Sequence, residues 1–135
     1  MRINGARGYA LLIGAVFCLT RALAYFSAFT PDDPPLGLTL ITQGLVNIDF
    51  YAGLWSVVAV FCIVGAFKRR DSWSWAALVG VMTLWGLAYF AGWVYSVQPG
   101  DPPESREWLT AVTYLAPAAI IGILSPQFVG RKNAT

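Results

Sequence analysis

The sequence has no histidine, two cysteines and few charges: 12% of its 135 residues are Asp, Glu, Lys or Arg. Each shortage removes a class of function. Without histidine there is no imidazole for acid–base catalysis near neutral pH or for a His-bearing zinc site. Cys18 and Cys62 have no CxxC spacing and both fall inside apolar runs, where they read as small buried residues. No glycine-rich phosphate loop and no HExxH occurs. The only basic cluster, Lys68, Arg69 and Arg70, is too short for a nucleic-acid interface. The stretches "DDPP" and "GDPPE" read as proline-stiffened acidic turns rather than cation sites. The chain is therefore expected to be no enzyme, to hold no cofactor or metal, and to bind no nucleic acid or soluble substrate.

What fills the space is apolar: 57% of the residues are hydrophobic and the mean hydropathy is +0.59. A soluble domain carries about 25% charged residues, so this chain requires another solvent. Charge-free runs cover Phe50–Phe67, Ser72–Val97 and Trp108–Gly130, and Gly8–Phe29 is a fourth if Arg21 is tolerated. Each is long enough to cross a hydrocarbon core of ~30 Å as a helix. The expected fold class is all-α: one polytopic membrane domain of four transmembrane helices, with the lipid bilayer as its first partner.

The charges set its orientation. Arg2 and Arg7 precede the first span, Lys68, Arg69 and Arg70 join the second to the third, and Arg131 and Lys132 follow the fourth. The other two connections hold Asp32, Asp33, Asp101, Glu104 and Glu107, with Arg106 as their one base. By the positive-inside rule both termini are expected in the cytoplasm of a bacterial inner membrane. Arg2, Arg7, the run 9–19 and "ALA" at 22–24 also resemble a secretory signal with its cleavage site. Arg21 just before that site, and the repeat described next, argue for a retained span.

"LAYFSAFTPDDPP" (23–35) aligns with "LAYFAGWVYSVQPGDPP" (87–103) at an offset near 64, and both segments lead through a span to a basic end. Tyr51 and Tyr114 stand at a similar offset. The reading is a duplication of two tandem hairpins, 8–67 and 72–130, in the same orientation about a pseudo-twofold along the membrane normal. Segment 36–46, with Leu38, Ile41 and Leu45 on one helical face, is expected to be a helix at the outer interface. Trp55, Trp73, Trp75, Trp93, Tyr95 and Trp108 are expected mostly as anchors in the interfacial aromatic belts.

Four features are candidates for function. Arg21 costs roughly 2.5–3.5 kcal/mol at the centre of a span, so it should face a partner. The topology offers Asp49, and an intramembrane Arg21–Asp49 pair is expected, with a partner's acid or a lipid phosphate as the alternative. Small residues line one ridge of each odd span: Ala10, Gly14, Cys18 and Ala22 on the first, Ala76, Gly80, Ala88 and Gly92 on the third. Such ridges serve either packing within the bundle or self-association. Pro117 should bend the fourth span and free the carbonyl of Thr113. Lys68, Arg69, Arg70, Arg131 and Lys132 set the topology.

In size, topology and a span composition rich in Ala, Gly, Val and Trp, the whole chain resembles the small multi-span membrane proteins of actinobacterial phages and prophages, some of them called holins. That resemblance implies a membrane-active protein that self-associates in the inner membrane as a homo-oligomer. An accessory subunit or modulator docked on a larger membrane complex is the alternative. A small carrier is the third reading. It is disfavoured because four-span multidrug carriers use a membrane-embedded acid, and because carriers usually have inverted repeats, not parallel ones.

Overall fold

A computed structural model describes residues 3, 5–28, 36–43, 46–96 and 107–130. Among them lie five helices and no strand: α1 (Gly5–Ala24), α2 (Leu36–Thr42), α3 (Ile48–Phe67), α4 (Ser72–Ser96) and α5 (Glu107–Gly130). Three of these, α1, α3 and α4, are long and apolar enough to cross a membrane, with mean hydropathies of 1.4, 2.1 and 1.6. Helix α5 is 24 residues long and is apolar over Trp108–Leu124.

The helices are apolar all round, as buried helices and membrane spans are. Along α1, Gly8, Leu11, Ala15, Cys18 and Ala22 turn inward at helical spacing. The opposite face carries Tyr9, Ile13, Val16, Leu19 and Leu23, all exposed. Helix α3 repeats this arrangement, with Trp55, Ala59 and Cys62 fully buried and Val57, Val60 and Val64 outside.

Local signals fix the ends. Asn47 precedes α3 in extended conformation, and its carbonyl accepts from the Phe50 N–H at 3.0 Å. The Lys68 N–H closes the last turn of α3 on the Gly65 carbonyl at 3.2 Å. Asp71 then opens α4, its carbonyl accepting from Ser74 and Trp75 N–H at 3.0 and 3.1 Å. That short connection makes α3 and α4 antiparallel neighbours. The Ser74 hydroxyl donates to the Phe61 carbonyl across their contact at 2.6 Å.

The chief packing partners are α1 with α3 and α4 with α5, which makes two hairpins. The sequence repeat sets α1 against α4 and α3 against α5. Positions 64 apart meet along α1 and α4: Arg7 with Asp71, Gly14 with Leu78, and Tyr25 with Tyr89. These pairs run in one sense along both helices, so α1 and α4 are parallel.

The symmetry is incomplete. Helix α3 packs directly on α4, but the matching pair, α1 and α5, keep their Cα atoms more than 8 Å apart among the described residues. Aromatic side chains fill the space between. The short helix α2 also has no counterpart among the described residues. It seats Gly37 against the Ala88 carbonyl and the Gly92 N–H of α4, an approach that leaves no room for a Cβ. The segment expected as a helix over 36–46 is helical over Leu36–Thr42 and ends at Gln43, whose φ of 53° lies in the left-handed region.

Candidate functional site

The middle of the bundle is aromatic. Trp55 of α3, Trp85 of α4 and Tyr114 of α5 have no exposure, and Tyr25 and Tyr51 are also buried. Trp55 and Trp85 lie edge to face with ring centroids 5.1 Å apart, and Tyr89 stacks on Tyr114 at 6.0 Å. Both geometries suit ring quadrupoles. Two of the tryptophans and tyrosines read as interfacial or unassigned, Trp55 and Tyr114, are thus core residues.

The polar atoms of this core are unequally served. The Trp85 indole N–H donates to the Tyr25 hydroxyl at 2.9 Å, and the Tyr25 and Tyr89 hydroxyls face each other at 3.3 Å. The Tyr51 hydroxyl meets the Thr42 hydroxyl, at the end of α2, at 3.0 Å. In contrast, Trp55 Nε1 and the Tyr114 hydroxyl are buried with no partner among the described residues.

Arg21 borders this region. It lies in the last turn of α1 rather than deep in a span, because α1 ends at Ala24 and not near Phe29. A cation there complements the negative end of the helix dipole. Its guanidinium carbon stands 5.1 Å from the Tyr114 ring centre and 5.3 Å from that of Phe17. Both distances are within cation–π range.

The expected Arg21–Asp49 pair is replaced by separate partners for each residue. Asp49, in the first turn of α3, accepts from the Ser27 N–H at 3.0 Å and the Ser27 hydroxyl at 3.1 Å. The early end of α1 accounts for this: the chain turns after Ala24 and brings Ser27 onto the start of α3. Arg21 points to α5, on the other side of α1.

An ion pair exists elsewhere. Arg7 meets Asp71 at 2.7 Å, with side chains 15% and 4% exposed, and the Trp75 indole N–H donates to the other Asp71 oxygen at 3.2 Å. Sequence reasoning counted Arg7 only as a topology charge and did not use Asp71. The available signal was their separation, which equals the repeat offset.

The remaining candidates divide. On α1, Gly14 faces the Leu78 side chain, Cys18 and Ala22 are buried, and Ala10 is exposed. On α4, Ala88 and Gly92 lie under α2, while Ala76 and Gly80 face outward. Cys18 and Cys62, for which the sequence suggested no pairing, are both fully buried, one on each of the packed helices α1 and α3. Helix α5 continues through Pro117. Lys68, Arg69 and Arg70 are exposed between α3 and α4. Arg131 and Lys132, the two acidic turns, and positions 44 and 45 lie outside the described residues.

No protein-family model matches the chain, and no curated protein or solved structure matches it either.

Proposed function

We propose that this chain is a non-enzymatic integral membrane protein that works by docking in the plane of the bilayer, as an accessory or modulating subunit of a larger membrane complex. The supporting observation is how the bundle divides its surfaces. Trp55, Trp85 and Tyr114 fill the middle, and the residues turned outward, such as Ile13, Val57, Val60, Ile120 and Ile123, are apolar. A filled middle offers no passage, and an apolar exterior has lipid or another membrane protein as its neighbour. In this reading the end that carries Arg7, Lys68, Arg69 and Arg70 faces the cytoplasm, with both termini.

A holin-like reading is favoured by one feature. Ala76 and Gly80 form an outward small-residue step on α4, and a Cβ at Gly80 would meet nothing within 4 Å. Such a step suits close helix approach between copies.

Controlled expression separates the two. Under docking, membrane potential stays unchanged after induction, and a second membrane protein co-purifies in fixed ratio in mild detergent. A delayed, complete collapse of potential, with only homo-oligomers recovered, would establish the holin-like reading instead.

A further inference from the structure

We propose that the Arg21 side of the bundle is a binding site for a phosphate group, contributed by an anionic lipid whose headgroup lies level with the last turn of α1. The inference does not depend on whether the chain docks on a complex.

Three observations converge. First, the Arg21 guanidinium stands over two rings, and among the described residues no carboxylate reaches it. Ring faces offset part of the cost of holding a cation in apolar surroundings, but they leave its N–H groups without strong acceptors. Second, its surroundings are rich in donors. The guanidinium stands over the ring of Tyr114, whose hydroxyl is buried and unpartnered. Trp55, with its indole N–H in the same condition, lies 6.1 Å from that ring. A cluster of guanidinium, phenol and indole without acceptors fits a ligand made of acceptors.

Third, the pseudo-twofold supplies an internal control. Trp85 occupies the position equivalent to Arg21, and Tyr51 that equivalent to Tyr114. There the two equivalent side chains each have a partner: Trp85 donates to Tyr25, and Tyr51 meets Thr42. Helix α2 covers the same side, seated on Ala88 and Gly92. The equivalent positions, Ala24 at the end of α1 and Ala28 beyond it, are exposed. Among the described residues, then, no short helix covers the half that carries the cation.

Phosphate is favoured by geometry and depth. Arginine's planar fork matches phosphate oxygens in pairs. Arg21 lies three residues from the end of α1, about 5 Å by helical rise, and the end of a spanning helix is within reach of lipid headgroups.

The test uses the purified full-length chain in detergent, with thermal unfolding and lipid binding followed by native mass spectrometry. Phosphatidylglycerol is compared with diacylglycerol, which lacks the phosphate, and with inorganic phosphate. The expected result is that phosphatidylglycerol binds about tenfold more tightly than diacylglycerol and raises the unfolding temperature. Both effects should vanish in Arg21→Gln. Tyr114→Phe should weaken binding several-fold without lowering the unfolding temperature of the lipid-free protein, a combination that a purely structural role would not produce. Arg21→Trp, which copies the other half, guards against a variant that fails to fold. An equal response to inorganic phosphate would support the site with a free ion as ligand. Lipid binding unaffected by Arg21→Gln would overturn the proposal. So would the absence of any phosphate response with loss of a co-purifying membrane protein, which would assign Arg21 to an acid of that partner.

Discussion

Tyr25 serves two neighbours with one hydroxyl, accepting from the Trp85 indole and facing Tyr89 across the pseudo-twofold. Replacing it by phenylalanine leaves the fully buried Trp85 N–H without an acceptor. The expected cost is about 1–3 kcal/mol, read as a lower unfolding midpoint in detergent. Tyr114→Phe removes a hydroxyl that has no partner, so stability should hold or rise in the absence of lipid. Equal losses for the two variants would show that their hydroxyls have equivalent surroundings. The Arg7–Asp71 pair gives the other residue-scale expectation. Asp71→Ala removes a carboxylate that pairs with Arg7 and is also the acceptor of Trp75, a loss of about 1–3 kcal/mol. Changing Arg7 and Asp71 together should cost less than the two single changes added. Neither pairing was read from sequence, although Tyr25 and Tyr89 were recognised as equivalents and Arg7 and Asp71 share their offset. Equivalence in a duplicated chain becomes contact only for residues that face the axis, and a list of positions does not say which do.

Among the elements, the long helices were legible because uninterrupted apolar runs of that length have few other solutions. The rotation of each helix about its own axis was less legible. A helix that is apolar all round has no polar stripe to mark its outer face, and each residue turns the face by about 100°. This is why Arg21 was assigned to Asp49 when it points to α5, and why the ridge on α4 was not assigned to α2. The seating of α2 is directly testable. Gly37→Ala brings a Cβ against the backbone of Ala88, which cannot move aside as a side-chain tip would. The expected effect is a loss of about 1–3 kcal/mol, with faster hydrogen exchange over Leu36–Thr42. Unchanged exchange there would mean that α2 is held by something else. The contact of α1 with α3 has its own probe in the neighbouring thiols of Cys18 and Cys62. Treatment with a membrane-permeant thiol oxidant should give an intramolecular disulfide, seen as a faster band on a non-reducing gel and absent from Cys18→Ser.

At the scale of the whole molecule, α1 and α4, which the "LAYF" alignment sets against each other, run parallel and touch at positions 64 apart. What the alignment also carried, without its meaning being evident, was the substitution of Trp85 for Arg21. In the structure that difference coincides with the placement of α2 and with the wider separation of α1 from α5. Arg21→Trp should therefore make the two halves more alike and raise the unfolding temperature of the lipid-free protein. A fall would mean that the space beside α5 requires the longer, flexible side chain. The incomplete symmetry has one more consequence. Two identical hairpins assembled as separate chains would carry every charge twice, and both flanks would be equivalent to a neighbour in the bilayer. Joining them in a single polypeptide allows one flank to keep an arginine while the other is closed by indole and a short helix. The molecule thereby acquires a left and a right within the plane of the membrane, and an encounter on one flank need not be repeated on the other.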